Sequence, residues 1–506
     1  MRIERVKNTK RNIIAGAGFK LVAILGPFFI RTVLLYTLGV DYLGLNSLFT
    51  SILSFLSLSE LGIGSAMVYA MYKPIAEDNH EAICALLNLY KKLYRIIGMV
   101  ILALGLLLLP FIPHLVDGEV PADISMYGLY VMYLLNTVLS YFLFGYKQSL
   151  LLAFQRNDII STRALIMRLL MYGGQALLLL ATKNYYTYVV MLIFYTLGTN
   201  LANSLIVDKM FPQYKCIGTV PREEIQAIKT NVQALVGSKI CTIMLNFANN
   251  LILSFFLGLV MVAKFDNYYY IINAVVGFLA IVYEALLGGL GNSIQLESVE
   301  KNHNDFRILT FINFWVVSWC AICCFCLMQP FITLWVGKDL LFSEGIALLF
   351  AVYFYVMQCE RIVLTYKDAA GIWRQDILRP YVVIVLNMGL GILGIRYFGV
   401  ASVLIATIIS LAISTPWSAC TLYKHLFQRS GKQYLLQYGI YTAKAVAAGA
   451  VTYWLCSLVP GGALVQFAVR LVICAVVPNV ILLVLNMRNP DKGMAFQKVK
   501  RILRRK

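Results

Sequence analysis

The chain reads as long apolar runs separated by short polar connections. We count fourteen runs, at residues 12–38, 42–71, 96–113, 126–144, 160–181, 185–207, 232–257, 268–290, 308–336, 346–366, 381–395, 400–422, 440–458 and 464–485. A helix needs about 20 apolar residues to cross a bilayer, and most of these runs reach that length. The pattern predicts an all-α membrane protein with about 14 transmembrane helices. The run at 381–395 is the shortest and ends at Arg396. The start, MRIERVKNTKRN before an apolar run, has the outline of a signal peptide. That run holds Lys20 and Arg31 and lacks a small-residue cleavage site, so a retained first span is expected.

One stretch occurs twice. Residues 12–39, NIIAGAGFKLVAILGPFFIRTVLLYTLG, align without gaps on residues 231–258, NVQALVGSKICTIMLNFANNLILSFFLG, with nine identities. Gly18, Lys20, Leu38 and Gly39 fall on Gly237, Lys239, Leu257 and Gly258, and Arg31 falls on Asn250. A second echo pairs GYKQSLLLAFQRNDII, from Gly145, with TYKDAAGIWRQDIL, from Thr365. It matches Tyr146 and Lys147 with Tyr366 and Lys367, and Arg156 and Asp158 with Arg374 and Asp376.

Both echoes are offset by about 220 residues, far more than a short solenoid repeat. Each repeat then holds six spans. Six is even, so the two repeats share one orientation and are related by an axis along the membrane normal. The expected organisation is an N-terminal six-helix lobe at 1–208, a cytoplasmic linker at 209–229 and a C-terminal six-helix lobe at 230–424. An added helix pair at 425–486 and a basic cytoplasmic tail at 487–506 complete it.

Composition agrees with the pattern. The 506 residues are 60% hydrophobic and 13% charged, with a mean hydropathy of +0.76. A soluble protein this apolar could not cover its own surface. The formal charge of +19 would elsewhere suggest nucleic acid, but no basic soluble domain is there to bind it. The bases follow the rule that keeps Lys and Arg in cytoplasmic loops. Lys91, Lys92, Arg95, Lys147, Arg156, Lys209, Lys215, Arg222, Lys367, Arg374, Lys424, Arg429 and Lys432 fall in one set of connections. Asp41, Asp117, Glu119, Asp123 and Asp339 fall in the other. Both termini join the basic side and are expected in the cytoplasm. The outer loops are short, which argues against a folded extracytoplasmic catalytic domain.

Charges inside the spans are the candidate chemistry, because each costs about 2.5–3.5 kcal/mol or more at the bilayer centre. Lys20 and Arg31 are eleven residues apart, which returns them to nearly one helix face, about 16 Å apart along the axis. Lys239, Asn246 and Asn250 form the matching stripe in the seventh span. The competing readings are snorkelling of Lys20 and Arg31 to the two interfaces and interhelical hydrogen bonding by the asparagines. Arg168 and Arg361 lie deeper than Arg163 and Arg379, which topology explains. Arginine suits a phosphate because its planar fork can bind two oxygens and stays charged. Glu60 and Glu284 are the acids expected to be buried, able to carry a proton or sodium ion or to pair with the cations. Glu360, beside Arg361, is a third such acid.

The chain has 11 cysteines, four of them in a C-x-x-C-C-x-C cluster at Cys320, Cys323, Cys324 and Cys326. That cluster lies in an apolar span with no His or carboxylate nearby, so packing rather than a metal is expected. No disulfide is expected either. There is no Walker A loop, nucleophile elbow or HExxH helix. We therefore expect a transporter without cofactor or metal, driven by an H+ or Na+ gradient or by the membrane potential.

Four features together resemble one family: the fourteen runs, the duplicated six-span unit, YKQSLLLAFQRND after the fourth span, and the tract from Tyr366 through Gly399 to Ser410. They are similar to the polysaccharide-biosynthesis flippases of the Wzx type, which move O-antigen or capsule repeat units. These belong to the multidrug/oligosaccharidyl-lipid/polysaccharide exporter superfamily. Ala406 stands where that family often has Gly before Thr407.

The resemblance implies a MATE-like, V-shaped pair of bundles around a central cavity that opens to each side in turn. The implied cargo is a polyprenyl-pyrophosphate-linked oligosaccharide, moved from the cytoplasmic to the outer leaflet of the bacterial plasma membrane for cell-surface polysaccharide. Membrane lipids, a polysaccharide polymerase and glycosyltransferases are the implied partners. By analogy with related lipid flippases, the added pair at 440–485 forms a groove for the lipid tail. The residues fit, since cationic stripes could replace the water around a pyrophosphate. An inside-negative potential also favours outward movement of anionic charge, by about 2.3 kcal/mol per charge per 100 mV.

Two rivals remain. An ion-coupled multidrug or cation exporter of the same superfamily is expected to have a more acidic or aromatic cavity. A polymerase or glycosyltransferase acting on the same lipid is expected to have a sizeable outer loop.

Overall fold

In a bilayer each backbone polar group needs a partner within the protein, and only helices or closed barrels supply it. This chain uses helices. The computed structural model describes residues 5–57, 63–115, 121–154, 156–372, 374–489 and 491–495, and among them there are fifteen α-helices and no strand. The first eight are α1 (Arg5–Thr37), α2 (Val40–Leu56), α3 (Ile63–Ala76), α4 (His80–Leu108), α5 (Met126–Phe142), α6 (Gln148–Ala153), α7 (Asn157–Thr182) and α8 (Tyr185–Met210). Then come α9 (Arg222–Leu296), α10 (Val299–Trp335), α11 (Glu344–Ala370), α12 (Arg379–Phe398), α13 (Val400–Leu422), α14 (Lys432–Ser457) and α15 (Ala463–Leu485). Side-chain caps fix several starts: Asn79, Ser125 and Ser298 accept from the backbone N–H three residues on.

Among the described residues, ten helical stretches are long and apolar enough to cross a membrane. The pair Met126–Phe142 and Gly145–Ala153, bent by 47°, makes an eleventh if it is one span. The chain is therefore a multi-pass membrane protein. Three places account for the difference from the expected fourteen runs. The run at 42–71 is divided between α2, which is short, and α3, with residues 58–62 outside the described set. The runs at 232–257 and 268–290 lie on the two arms of α9, in which one stretch, Phe247–Glu284, is among the ten. The third is α14, which carries Lys444 and is not among the ten.

The duplication has a structural signature. Gly39, between α1 and α2, has φ 114° and ψ −178°. Its sequence counterpart Gly258 has φ 80° and ψ 175°, and breaks α9 into two arms. Positive φ is open to glycine and strained for other residues. The two copies thus end their first helix with the same backbone break.

Contacts divide the chain into two compact units, Met1–Ala263 and Lys264–Lys506. The stretch at 209–229, expected to be a linker, lies inside the first. Part of it is packed against that unit's own helices. Phe211 stacks on Phe154 at 4.7 Å, and Tyr214 stacks on His80 at 5.3 Å. Asn88 donates to the Gly218 carbonyl at 2.9 Å. Burial raises the Tyr214 phenol above its ordinary pKa. In this unit α1 runs along α7, α7 along α8, and α4 along α5.

In the second unit α12 pairs with α13, and α11 lies against α10 and α13. The added helices α14 and α15 pack on each other and on α10. Trp315 and Trp319 of α10 fix α15 in register, donating to Asn479 Oδ1 and the Cys474 carbonyl, each at 2.8 Å.

Candidate functional site

The cations of the first unit sit on its α1–α7 pair. The guanidinium of Arg168, on α7, lies 4.9 Å from the Phe19 ring and 5.6 Å from the Tyr195 ring. Phe19 precedes Lys20, so this contact sets Arg168 at the level of Lys20, which is half-buried. Arg168 Nε is buried and has no hydrogen-bond partner among the described residues. Ring faces rather than acceptors hold this guanidinium, at about 0.5–2 kcal/mol per contact.

Arg31 lies nearer the end of α1 and is only 3% exposed. Its Nη2 donates to the Ala263 carbonyl at 3.5 Å. Other buried polar groups hold this unit together. Asn250 donates to Ser51 Oγ at 2.8 Å, joining α9 to α2. The Tyr133 hydroxyl donates to Asn46 Oδ1 at 2.6 Å and lies 2.9 Å from the Tyr185 hydroxyl. Gln175 donates to the Tyr188 carbonyl at 3.2 Å. The position that is Arg31 in the first copy is thus an interhelical amide, Asn250, in the second.

The other candidates fall elsewhere. Lys239 and Asn246 lie on the first arm of α9, but their side chains are outside the described residues. Glu60 is also outside them. Glu284, expected to be buried, is exposed in its unit. Arg361, expected to be deep, is exposed as well, while Arg379 is partly buried and paired with the buried Glu360.

Sequence reasoning did not anticipate the cluster around Arg379. Its Nη1 donates to Glu360 Oε1 at 3.1 Å and to Ser414 Oγ at 2.7 Å, and its Nε donates to Asp376 Oδ2 at 2.6 Å. Asp376 also pairs with Lys367. Glu360 accepts from Ser414 at 2.7 Å and Ser418 at 3.0 Å. Two acids and two bases balance, as buried charges must. Lys367 and Asp376 belong to the second echo, TYKDAAGIWRQDIL. In the first echo Lys147 instead reaches Asp208 of α8 at 2.7 Å, and Arg156 pairs with Asp158 at 3.0 Å. The motif therefore marks a pair of charge-locked turns, one in each unit.

Chemically, Lys20, Arg31 and Arg168 place three cations within the apolar parts of α1 and α7, and neither helix carries an acid beyond Asp158 at the start of α7. Such a surface favours oxyanions.

No protein-family model matches the sequence, and no curated protein matches it. Solved structures match the fold. The lipid II flippase MurJ, in an inward closed conformation, is similar with a TM-score of 0.66 at 16% identity, over 94% of this chain and 99% of its own. An inward-facing multidrug resistance MATE family transporter of the MOP superfamily gives 0.61 at 16% identity, covering 80% of this chain and 97% of its own. A MATE protein in a bent conformation gives 0.54 at 15% identity, with coverages of 87% and 97%. The chain is an all-helical membrane protein with the fold seen in MATE and MurJ structures.

Proposed function

We propose that this protein is a transporter that carries a polyprenyl-pyrophosphate-linked oligosaccharide from the cytoplasmic to the outer leaflet of a bacterial plasma membrane. It would work by alternating access and supply cell-surface polysaccharide synthesis. One observation carries this reading: Arg168 sits beside Phe19 at the level of Lys20, Arg31 is buried further along α1, and the only acid on α1 or α7 is Asp158. A pyrophosphate loses strong hydration when it leaves water, and cations along its path can replace that hydration. Lys239, Asn246 and Asn250 are assigned to the same polar path by their places in the repeat, and Arg361 is a separate candidate in the second unit. Glu60 and Glu284 are the acids on which a coupling proton or sodium ion would ride.

The likeness to a lipid II flippase extends over 94% of the chain, against 80% for the inward-facing MATE structure. Likeness of fold alone supports a multidrug or cation exporter equally, and one experiment separates the two. Deplete the protein in its host and locate the lipid-linked glycans. Under the flippase reading, complete polyprenyl-pyrophosphate oligosaccharides accumulate on the cytoplasmic leaflet, before the polymerase can use them. Unchanged glycans together with new sensitivity to cationic drugs would establish the exporter instead.

A further inference from the structure

Three thiols from three helices meet inside the second unit. The sulfurs of Cys326 (α10), Cys456 (α14) and Cys474 (α15) all lie within 4.8 Å of one another. Each residue is exposed by 1% or less. The Cys456 and Cys474 sulfurs are 4.0 Å apart. Packing asks for small apolar side chains here, but it does not require three thiols to converge on one point.

Geometry and charge both suit an ion. With metal–sulfur bonds of about 2.3 Å, as in zinc thiolates, three sulfurs stand about 4.0 Å apart in a trigonal plane and about 3.8 Å apart in a tetrahedron. The spacing seen here reaches either with shifts below about 1 Å. Arg470 of α15 lies alongside and donates from Nη1 to the Cys326 carbonyl at 3.4 Å. Its Nε is buried with no hydrogen-bond partner among the described residues. Three thiolates, one divalent ion and this guanidinium sum to zero charge. With a monovalent ion, two thiolates and one retained thiol reach the same balance. Apolar surroundings demand that neutrality.

We propose that Cys326, Cys456 and Cys474 form a binding site for one soft, thiophilic metal ion. The all-sulfur donor set, without His or carboxylate, selects that class of ion. Binding releases three protons to solvent for a divalent ion and two for a monovalent one. Because the ligands come from α10, α14 and α15, the ion would clamp the added helix pair to the rest of its unit. The proposal is independent of the transported cargo. Reading along α10 alone hides the site, since of the C-x-x-C-C-x-C residues only Cys326 belongs to it.

The test uses the full-length protein in detergent, titrated with Cd(II) and with Ag(I). We expect one equivalent of Cd(II) to bind, with an ultraviolet thiolate-to-metal charge-transfer band and a higher unfolding temperature. X-ray absorption on the wild type should count three sulfur neighbours around Cd(II). The band should disappear in the triple variant C326S/C456S/C474S and persist in C420A, which removes an exposed thiol. No band, a band unchanged in the triple variant, a band lost in C420A, or a shell dominated by oxygen or nitrogen would each overturn the proposal. The wild-type sulfur count decides the matter even if the triple variant does not fold.

Discussion

Arg31 is a guanidinium at 3% exposure on an apolar helix, and holding it there requires compensation from its surroundings. Hydrogen bonds to a charged group contribute about 1.5–3 kcal/mol. If the cargo's pyrophosphate uses Arg31 in transit, Arg31→Ala should slow transport roughly 10- to 100-fold, since about 1.4 kcal/mol is a factor of 10. Lys20→Ala with Arg31→Ala should abolish transport while the protein stays folded and inserted. Glycan export paired with detergent-solubilised thermal unfolding checks both points, and unimpaired export would remove these residues from the cargo path. Arg31→Lys should not restore full function, because an ammonium lacks the planar fork.

The α1 cations were legible because a charge inside an apolar run stands out at any reading. The Arg379 cluster was not, since its partners come from α11, α12, α13 and the turn at Asp376. Arg361 misled through its neighbour Glu360. Adjacent residues on a helix do not face each other, so Glu360 turns inward to Arg379 while Arg361 is exposed.

At the level of helices, the repeat fixes the places where the chain must break. Gly39 and Gly258 both adopt positive φ, a region that costs other residues about 1–2 kcal/mol or more. Gly39→Ala and Gly258→Ala should each lower the unfolding temperature by a similar amount. Unequal effects would argue against equivalent roles. Gly44 should be less tolerant still, because a Cβ there would stand 2.4 Å from the Leu259 carbonyl oxygen.

The buried pairs behave differently. Asp376→Asn leaves Lys367 and Arg379 short of a counter-charge, and breaking such a pair typically costs about 3–5 kcal/mol. Lys367→Met combined with Asp376→Leu should cost clearly less than the sum of the single changes, as measured by a double-mutant cycle. An additive result would show that the two side chains do not interact. Element boundaries were harder to read than the repeat. Hydropathy divides α9 close to its break at Gly258 but merges α2 with α3, because the runs record apolar content and not backbone direction.

For the whole molecule, the legible features were the helical membrane class and the duplication, both of which follow from long-range pattern. The three-thiol cluster was illegible because Cys326 is separated from Cys456 and Cys474 by more than a hundred residues of sequence. Under the proposed function, a negatively charged cargo would make transport electrogenic. An inside-negative potential should speed outward movement, by about 2.3 kcal/mol per charge per 100 mV at most, and collapsing the potential with an ionophore should slow it.

The most direct measurement is transport itself. The purified protein would be reconstituted in proteoliposomes carrying a labelled polyprenyl-pyrophosphate oligosaccharide in one leaflet, and its appearance in the other leaflet followed with a membrane-impermeant reagent. Transfer by the wild type that is lost in the K20A/R31A double variant is the predicted result. No transfer of the glycolipid, with the same vesicles moving a cationic dye, would contradict the proposed function.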